Sequence, residues 1–469
     1  MWVASSRMDG SGATAGLAEA LETALEPELG PVAVEELRRL SGGASRETWS
    51  FVAAPSGGGD VHRLVLQRTR GGLRDGMRGP SMATEDVLLQ AARDHGVPVP
   101  PVVVPSARAG GLGEARVTRH VDGETLGRRI VRDERYAPAR EVLVGQCAAA
   151  LAALHRVDPA SVPGLEVLEP LRRLRAGLDL LGESRPAFEL ALRWLHEHRP
   201  PEGRPRVVHG DFRLGNLIVD GSGLRAVLDW ELAHLGDPVE DLGWLCVRAW
   251  RFGGDGVAAG IGTTRELLDA YEAAGGERVD PARLHWWIVA GTLTWGLICS
   301  VQARRHLDGH VRSVELATIG RRVVETEYDL LQLLGVPPTF PAPGETAAPR
   351  RLLEERPTAT ELLDAVRAHL DEEVAPELEG AAAFHLRVAS NALAIVAREV
   401  RYGPEADRQA RARLRALGIH GGEGELAARL RDDDLTPSPE VLAAVRASVV
   451  DRLRIANPRW LEPPDTPEG

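Results

Sequence analysis

The stretch that decides the fold is RVVHGDFRLGNLIVD at residues 206–220, followed after a short glycine-serine turn by LRAVLDWE at residues 224–231. Apolar, β-branched runs flank a polar loop in the first segment, and a further apolar run follows the turn. This pattern predicts short strands on either side of the loop. Asp211 and Asn216 lie five residues apart in the loop, and Asp229 follows the last apolar run. We therefore treat these three oxygen-bearing side chains as candidate functional groups.

Their order and spacing fit the transfer of a γ-phosphoryl group. That reaction requires one carboxylate near the acceptor hydroxyl and a pair of oxygen ligands that hold Mg²⁺ against the phosphates. Asp211 suits the first task as the catalytic residue, and Asn216 and Asp229 suit the second as metal ligands. Asp and Asn also favour ordinary turns and caps. The fixed order and both spacings favour the catalytic interpretation, which predicts ATP and Mg²⁺ as cofactors.

Residues 206–242 resemble the aminoglycoside phosphotransferase family of kinase-like enzymes, including the trailing Gly-Asp-Pro at 236–238 and Asp241. More narrowly, the segment is similar to the kinase-like domain fused to acyl-CoA dehydrogenases. The resemblance covers roughly residues 30–335. It implies an α+β, two-lobed protein-kinase-like fold, with a small antiparallel sheet lobe and a helical lobe, and ATP-dependent transfer to a small-molecule hydroxyl.

Three further residues in or near the catalytic loop are candidates for supporting roles. His209 is expected to brace the loop rather than to act as an acid or base. Arg213 is a candidate to neutralise charge on the substrate or the phosphates. Asp241 either caps the next helix or bonds the backbone of the catalytic loop, and the resemblance favours the second role.

The upstream segment is expected to supply the nucleotide site. Apolar runs at 32–40, 48–53 and 61–67 predict a β-meander, and a helix is predicted over 82–95. The glycine turn between the first two runs can close over phosphates with its backbone N–H groups. The predicted ATP-binding residues are Ser41, Gly42, Gly43, Ala44, Ser45, Gln67, Arg68, Glu85, Arg119, His120 and Val121.

The chain departs from the kinase pattern because it contains no lysine, so that all 56 of its basic residues are arginine. Gln67 aligns with the position of the kinase lysine. Its neighbour Arg68 points to the opposite face if the strand alternates regularly. Because phosphate charge still requires a cation, we expect Arg68 or another nearby arginine to replace the lysine and to approach Glu85, the acid of the following helix. Residues 119–121 fall where the hinge between lobes would present backbone groups to adenine.

The predicted organisation has five parts. Residues 1–30 form a loose lead-in with a short helix near Leu17–Leu25, and five prolines within 337–349 mark a linker. Beyond the linker, amphipathic patterns at 360–373, 382–402, 406–417 and 441–455 predict a separate all-α domain that resembles helical domains of unknown function. The predicted parts are a lead-in at 1–30, the N-lobe at 31–121, the C-lobe at 122–336, the linker at 337–349 and the helical domain at 350–469.

The bulk composition narrows the class of partner. The formal net charge of −12 disfavours sequence-independent binding to nucleic acid or to anionic membranes. The apolar stretch at 286–301 is short for a membrane span and is expected to be a buried helix. Three distant cysteines in apolar surroundings and an N-terminus without a signal-peptide pattern suggest a reduced, cytoplasmic protein. The expected partner is a small-molecule acceptor, and the sequence carries no prediction of oligomeric state.

Two alternatives remain open at this level. The absent lysine would suit a pseudokinase scaffold, although the retained Asp211, Asn216 and Asp229 oppose that interpretation. An antibiotic kinase would be expected to carry a clustered acidic pocket, and the acidity here is spread out. A hydroxyl on a hydroxyacyl-CoA-like metabolite is the preferred acceptor, by analogy with the fused domains. In that case Arg213 and Arg248 are expected to line the cleft near Asp211.

Overall fold

The computed structural model describes residues 10–40, 46–69, 79–338 and 356–462. By packing, the chain divides into two units. The first comprises Met1–Leu168 and Pro201–Trp287, and the second comprises Glu169–Pro200 and Ile288–Gly469.

The first unit contains a five-stranded antiparallel sheet, and one helix connects the third strand to the fourth along the chain. The strand order is β1-β2-β3-β5-β4, with all neighbouring pairs antiparallel. The elements are α1 (Gly10–Leu29), β1 (Val32–Arg39), β2 (Arg46–Pro55), β3 (His62–Thr69), α2 (Met82–Asp94), β4 (Val102–Val104) and β5 (Ala115–Arg119). The predicted small sheet lobe is therefore confirmed.

The N-terminal segment is more regular than predicted. Instead of a loose lead-in with a short helix, α1 runs for 20 residues. Leu17, Leu21 and Leu25 recur every four residues, which places them on one face of the helix. This face is buried in a core shared with Phe51 and other side chains of the sheet. Burial of the leucine stripe ties the helix to the sheet lobe.

The helical part of the kinase-like fold follows. The sequence of elements continues with α3 (Gly127–Arg132), α4 (Ala137–Leu154), α5 (Pro170–Leu181), α6 (Pro186–Glu197), β6 (Arg206–Val208), β7 (Leu217–Asp220), β8 (Gly223–Val227), β9 (His234–Gly236), α7 (Val239–Cys246) and α8 (Thr264–Ala273). Strands β7 and β8 form the predicted hairpin, while β6 pairs with β9. The loop of residues 209–216 therefore connects the β6–β9 pair to the β7–β8 hairpin. Pairing of Leu217 with Val227 places the end of the loop beside the end of β8.

The second unit contains α5, α6 and the helices of the C-terminal part. These are α9 (Pro281–Leu307), which begins in the first unit, α10 (Val314–Ile319), α11 (Val323–Leu333), α12 (Ala359–His369), α13 (Gly380–Ala416), α14 (Glu423–Arg431) and α15 (Pro439–Ala456). The all-α character predicted beyond the linker is confirmed. However, Leu190 of α6 and Tyr328 of α11 share one hydrophobic core with Leu414, Leu430 and Leu453. The core of the C-terminal helices is therefore continuous with that of the preceding helices.

Helix α13 corrects a further expectation. Two helices were predicted on either side of residue 404, yet α13 continues through Pro404 for 37 residues. A proline inside a helix lacks an N–H donor and crowds the preceding turn. Ile395 before the proline and Leu414 after it are both buried, so each half of the helix is anchored by packing.

Two helices, α9 and α13, are long and apolar enough to cross a membrane by length and composition alone. The apolar window of α9 is mostly buried in the protein, as expected for a core helix, whereas only 22% of the window of α13 is buried. Cys147, Cys246 and Cys299 are free and buried, which agrees with their assignment as core thiols.

Candidate active site

Three side chains donate hydrogen bonds to the carboxylate of Asp211, which lies in the loop after β6. Its Oδ1 accepts hydrogen bonds from Arg213 Nε at 2.9 Å and from Trp244 Nε1 at 2.8 Å. Its Oδ2 accepts a hydrogen bond from Asn216 Nδ2 at 2.6 Å. The side chain of Asp211 is only 13% exposed. Two of the three predicted site residues are thus in direct contact.

Two hydrogen bonds from its side-chain amide nitrogen fix the orientation of Asn216. Nδ2 donates to the backbone oxygen of Asp211 at 3.0 Å as well as to its carboxylate. Both contacts use the nitrogen, and in the described part of the chain no group donates to Asn216 Oδ1. The amide oxygen is therefore left for a ligand outside the protein.

Asp229 lies directly after β8 in a left-handed backbone conformation, with φ of +66°. Such a conformation is unfavourable for a residue with a Cβ and is typical of functional sites. No described residue donates a hydrogen bond to its carboxylate. Burial, together with the negative charges of Glu231 and Asp211, raises the pKa of Asp229 to about 7. The Asp229 carboxylate thus lies near two other carboxylates and has no hydrogen-bond donor among the described residues.

A buried network holds the backbone of the loop. Asp241 accepts hydrogen bonds from the backbone N–H of His209 at 2.7 Å and of Gly210 at 2.9 Å. His155 Nε2 lies 3.2 Å from the same carboxylate, and His155 Nδ1 lies 2.8 Å from the hydroxyl of Tyr271. Asp241 therefore bonds the catalytic-loop backbone, and His155 is a hydrogen-bonded core residue, as the sequence analysis favoured.

His209 and Gly210 have structural functions in this loop. His209 Nε2 donates to the backbone oxygen of Leu228 at 2.9 Å, and its Nδ1 accepts from the backbone N–H of Asp211 at 3.2 Å. Burial lowers the pKa of His209, which favours the neutral ring that this pattern requires. Gly210 has φ of +78°, and a Cβ there would lie 2.4 Å from the backbone oxygen of Leu232. The chain therefore requires glycine at this position.

We expect Asp241→Asn to destabilise the protein by about 3 kcal/mol at neutral pH, because two buried N–H groups and His155 would lose a charged acceptor. Burial alone would raise the pKa of Asp241, but the hydrogen bond and positive charge of His155 and the contacts to His209 lower it below its ordinary value of 3.8. A lowered carboxyl pKa contributes stability above the unfolded-state pKa that is lost as the pH falls through the folded-state pKa.

Urea unfolding of the wild type and the variant at several pH values measures this difference. The gap between them should therefore be constant above about pH 5 and should shrink below about pH 4. The exposed Asp269→Asn variant is the control, since its only described ion pair is a weak contact to Arg265 at 3.6 Å. Equal stability of Asp241→Asn and the wild type at neutral pH would contradict the role assigned to this network.

Glu85 is the anchor of a second cluster, on the sheet. It is fully buried, and its carboxylate accepts hydrogen bonds from Arg46 Nη1 at 2.7 Å and from Arg116 Nη2 at 2.8 Å. A further contact joins Arg46 Nη2 to Glu85 Oε1. Arg116 Nε donates to Gln67 Oε1 at 3.0 Å. Glu85 and Gln67 are thus brought together as predicted, through arginines that the sequence analysis did not single out.

The expected approach of Arg68 to Glu85 is wrong, and the alternative of another nearby arginine is found instead. Arg68 Nε donates to Glu47 at 2.8 Å, and these two residues lie opposite each other on β3 and β2. Because strand side chains alternate, Arg68 is on the face opposite to Gln67. Arg46 pairs with Thr69 across the same strands and therefore shares the face of Gln67.

Arg46 also reaches toward the carboxylates after β8. Its Nε lies 3.8 Å from Glu231 Oε2. Burial on its own would lower the pKa of Arg46, but the hydrogen bond to Glu85 and the negative charges of Glu85, Glu231 and Asp229 raise it above its usual value. The guanidinium is 13% exposed. Arg46 is thus a permanently charged group between the sheet and the Asp229 carboxylate.

The remaining predicted nucleotide contacts are placed as follows. Ser41–Ser45 lies outside the described residues. Residues 119–121 form the end of β5 and the start of the segment that leads to α3, as a hinge requires. The backbone N–H of Val121 has no acceptor among the described residues, while that of His120 donates to Arg63.

Comparison with known proteins establishes the family. The sequence profile described as "Phosphotransferase enzyme family" matches residues 36–287, more than half of the chain. The chain belongs to this phosphotransferase family. A second profile, a domain of unknown function numbered 6285, matches residues 376–460 of the phosphotransferase.

Among solved structures, a Ralstonia eutropha protein assigned to the aminoglycoside phosphotransferases matches with a TM-score of 0.54 and 23% identity. The alignment covers 68% of the present phosphotransferase and 98% of that protein, and at this identity it supports the fold. The two-lobed kinase-like architecture expected from the sequence is thereby confirmed.

Among curated sequences, acyl-CoA dehydrogenase family member 10 of Mus musculus is 48% identical to the phosphotransferase over 64 residues. Acyl-CoA dehydrogenase family member 11 of Homo sapiens is 40% identical over 60 residues. The matched segment covers 13% and 12% of the present chain, but only 6% of the mouse protein and 8% of the human protein. The similarity expected to the dehydrogenase-fused domains is confirmed over this short segment.

Sequence reasoning missed Arg46 and Arg116, and it did not predict the contact of Trp244 with Asp211. Arg46 directly follows the glycine turn, and Trp244 lies three residues after Asp241 on the same helix. These positions in the sequence were the signals from which the two residues could have been predicted to lie at the site. Arg213 was singled out, and in the phosphotransferase its guanidinium stacks 4.7 Å from the ring centre of Trp250 while bonding Asp211. The expected approach of Arg248 to Asp211 stays a prediction.

Proposed function

We propose that this phosphotransferase moves the γ-phosphoryl group of ATP to a hydroxyl of a small molecule in a Mg²⁺-dependent reaction. The observation that carries the proposal is the set of hydrogen bonds around Asp211, in which Asn216, Arg213 and Trp244 all donate to its carboxylate. In the proposed reaction the bond between the β–γ bridging oxygen and the γ-phosphorus breaks. A bond forms between that phosphorus and the acceptor oxygen, and the acceptor's proton passes to Asp211.

The hydrogen bonds to Asp211 support its role as the acceptor-orienting group. A carboxylate offers about four lone-pair positions, and described donors occupy three of them. Arg213 and Trp244 share Oδ1, so that the remaining position lies on Oδ2. An acceptor hydroxyl could donate its hydrogen bond there. The three fixed contacts would hold that oxygen in one orientation, which favours an in-line approach.

The donor set around Asp229 fits Mg²⁺. No group of three or more His, Cys, Asp or Glu side chains able to hold a metal occurs among the residues that the structure describes. Mg²⁺ is commonly held by one or two protein oxygens together with the phosphates of its nucleotide. The unpaired carboxylate of Asp229 and the free Oδ1 of Asn216 are suitable oxygens. When bound, the ion would neutralise phosphate charge, and it would also relieve the repulsion that raises the pKa of Asp229.

Arg46 is the best candidate to replace the phosphate-binding lysine. Arg116 is 2% exposed and has Glu85, Asp86 and Gln67 as partners, so that little of it can reach a ligand. Arg46 has Glu85 as its hydrogen-bond partner and Glu231 at 3.8 Å, and in the sequence it directly follows the glycine turn. Its guanidinium can therefore contact phosphate oxygens with its remaining donors.

For the acceptor we propose a hydroxyl on an anionic acyl metabolite, of the hydroxyacyl-CoA kind. The named relatives are acyl-CoA dehydrogenase family members, although the matched segment is a small fraction of each. The positive guanidinium of Arg213 beside Asp211 agrees with an anionic acceptor and opposes a polycationic aminoglycoside. A catalytically weak scaffold is opposed by Asp229, because a buried, unpaired carboxylate in a strained backbone conformation destabilises a fold without a ligand.

We expect ATP to stabilise the protein only in the presence of millimolar Mg²⁺, and we expect Asp229→Asn to remove most of that stabilisation. Thermal denaturation with ATP, with and without Mg²⁺, measures the effect. At a ligand concentration of a hundred times Kd, binding contributes about 2.7 kcal/mol, which is a shift of several degrees. Asp220→Asn, on an exposed turn of the neighbouring hairpin, is the matched control. Equal stabilisation with and without Mg²⁺ would contradict the metal site.

The acceptor proposal is tested by measuring ADP release with matched substrate pairs. 3-Hydroxybutyryl-CoA is compared with butyryl-CoA, which lacks the hydroxyl, and hydroxy acids, sugars, choline-like alcohols and aminoglycosides complete the panel. Asp211→Asn is the blank. ADP release with 3-hydroxybutyryl-CoA but not with butyryl-CoA supports the proposal. Turnover restricted to aminoglycosides would overturn the acyl acceptor and leave the phosphotransfer proposal intact.

A further inference from the structure

A cavity of about 710 Å³ lies within the second unit, among residues that the phosphotransferase site does not use. Its walls come from α10, α12, α13, the end of α15 and the short helical turns Gly320–Arg322 and Pro458–Trp460. Its volume is in the range of small-molecule sites, about 300 to 1,000 Å³. The lining contains nine charged side chains. The arginines are Arg321, Arg322, Arg367, Arg387, Arg398 and Arg459, and the acids are Glu315, Glu325 and Asp371.

Two of the arginines are neutralised by nearby acids. Arg321 forms an ion pair with Glu399 at 2.6 Å, and Arg322 pairs with Glu325 at 3.0 Å. Glu325 also accepts a hydrogen bond from Asn457. The other four arginines of the lining are Arg367, Arg387, Arg398 and Arg459.

Among the described residues, none of these four arginines has a carboxylate at hydrogen-bond distance. Arg398 donates to the backbone oxygens of Ile455 at 2.7 Å and Ala456 at 3.2 Å, which are neutral acceptors. Arg367 donates to the backbone oxygen of Ser390 and has an acid, Asp364, only at 3.9 Å. Arg387 and Arg459 have no ion pair in the described part of the chain.

The positive charges in the cavity act on one another. Burial, and then the charges of Arg367 and Arg459, lower the pKa of Arg398 from its usual value. Asp371 is a lining acid, but it is 3.0 Å from the hydroxyl of Ser390 and forms no described ion pair with an arginine. The remaining acid, Glu315, is exposed. In a chain with a formal charge of −12, this local excess of guanidinium groups favours the binding of an anion.

The cavity also has an apolar side. Phe384, Val388 and Ile395 recur on one face of α13 at spacings of four and seven residues. Phe384 is 42% exposed, although it is a large aromatic side chain. Ile319 of α10 adds to the same lining. Apolar groups of this kind beside free arginines are suited to a ligand that has both a charged head and a hydrocarbon part.

We propose that this cavity binds a small amphipathic anion, a carboxylate or phosphate monoester with a short hydrocarbon chain. The head group contacts Arg387, Arg398 and Arg459, because planar guanidinium groups bind carboxylate and phosphate oxygens bidentately. The hydrocarbon chain packs against Phe384 and Val388. The site is independent of the proposed phosphotransfer reaction, since none of the residues assigned to that reaction lines it.

The test is calorimetric titration of the whole chain, without nucleotide, with octanoate, octyl phosphate and the neutral octyl glucoside. We expect one or both anions to bind, with octyl glucoside at least about tenfold weaker. The double variant Arg387→Gln/Arg459→Gln should weaken the binding of that anion by about tenfold or more. Both residues are exposed, so that the fold should tolerate the changes. Arg411→Gln, on the same helix but outside the cavity and 72% exposed, is the matched control.

The relative affinities of octanoate and octyl phosphate identify the head group that the site prefers. Arg398→Gln is a further variant, with its circular dichroism measured first because Arg398 also bonds the end of α15. Undetectable binding of both anions would overturn the proposal. So would equal affinity for octyl glucoside, or anion affinity unchanged in the double variant. These outcomes do not depend on whether phosphotransfer occurs.

Discussion

We expect Asp211→Asn to lower kcat for the accepted substrate by about two to four orders of magnitude, the usual contribution of a positioned general base. The variant retains an oxygen that can accept hydrogen bonds from Arg213 and Trp244. It loses the negative charge and the lone pair to which the acceptor hydroxyl is proposed to donate. Because the proposed nucleotide and metal contacts belong to other residues, KM for ATP should change by less than a few-fold. Steady-state ADP release measures both quantities.

A matched control for this variant is Trp244→Phe, which removes one hydrogen bond to Asp211 Oδ1 and preserves an aromatic ring. Its kcat should fall by about tenfold, in line with the loss of one hydrogen bond to a charged group. The loss of kcat should therefore be larger for Asp211→Asn than for Trp244→Phe. If Asp211→Asn retained wild-type kcat with a verified acceptor, Asp211 would not be the catalytic group.

We expect Arg46→Gln to lower kcat/KM for ATP by about a hundredfold, since one preorganised cation at the phosphates would be lost. Gln preserves hydrogen bonding to Glu85 but removes the charge that faces Glu231 and Asp229. Arg116 continues to neutralise Glu85 at 2.8 Å, which should limit the loss of folding stability. Initial rates at varied ATP, together with urea unfolding, separate the catalytic effect from the structural one.

Arg68→Gln provides the matched comparison, because Arg68 is the adjacent arginine on the sheet and pairs with Glu47 on the opposite face. Its kcat/KM for ATP should remain within about twofold of wild type, as expected for a surface ion pair. A large loss for Arg68→Gln and none for Arg46→Gln would reverse the assignment of the lysine substitute.

The catalytic segment was predictable from the sequence because its groups are close along the chain. Asp211, Asn216 and Asp229 lie within one loop and the hairpin that follows it, so that local backbone geometry alone restricts their relative positions. The bond from Asp241 to the loop backbone followed from the family resemblance. The small antiparallel sheet and the helical lobe also followed from the alternation and periodicity of apolar residues.

Tertiary structure decided which arginines contact Glu85 on the proposed nucleotide-binding face of the sheet. Arg46, Glu85 and Arg116 come from two strands and a helix that are distant in sequence, and their contact depends on strand register. A shift of one residue would move each side chain to the other face of the sheet. Strand alternation did indicate that Arg68 faces away from Gln67, but it could not reveal that an arginine on a neighbouring strand bonds Gln67.

By itself, therefore, the sequence determined the kinase-like fold and the all-α character of the C-terminal region, and it indicated the three candidate groups Asp211, Asn216 and Asp229. Tertiary structure alone decided which arginine meets Glu85, how the C-terminal helices share a core with Leu190 and Tyr328, and where Arg387 and Arg398 converge on a cavity. The physical reason is the range of the interactions. Turns, caps and periodicities are set by neighbours along the chain, whereas helix packing and strand register bring together residues whose separation in sequence carries no such signal.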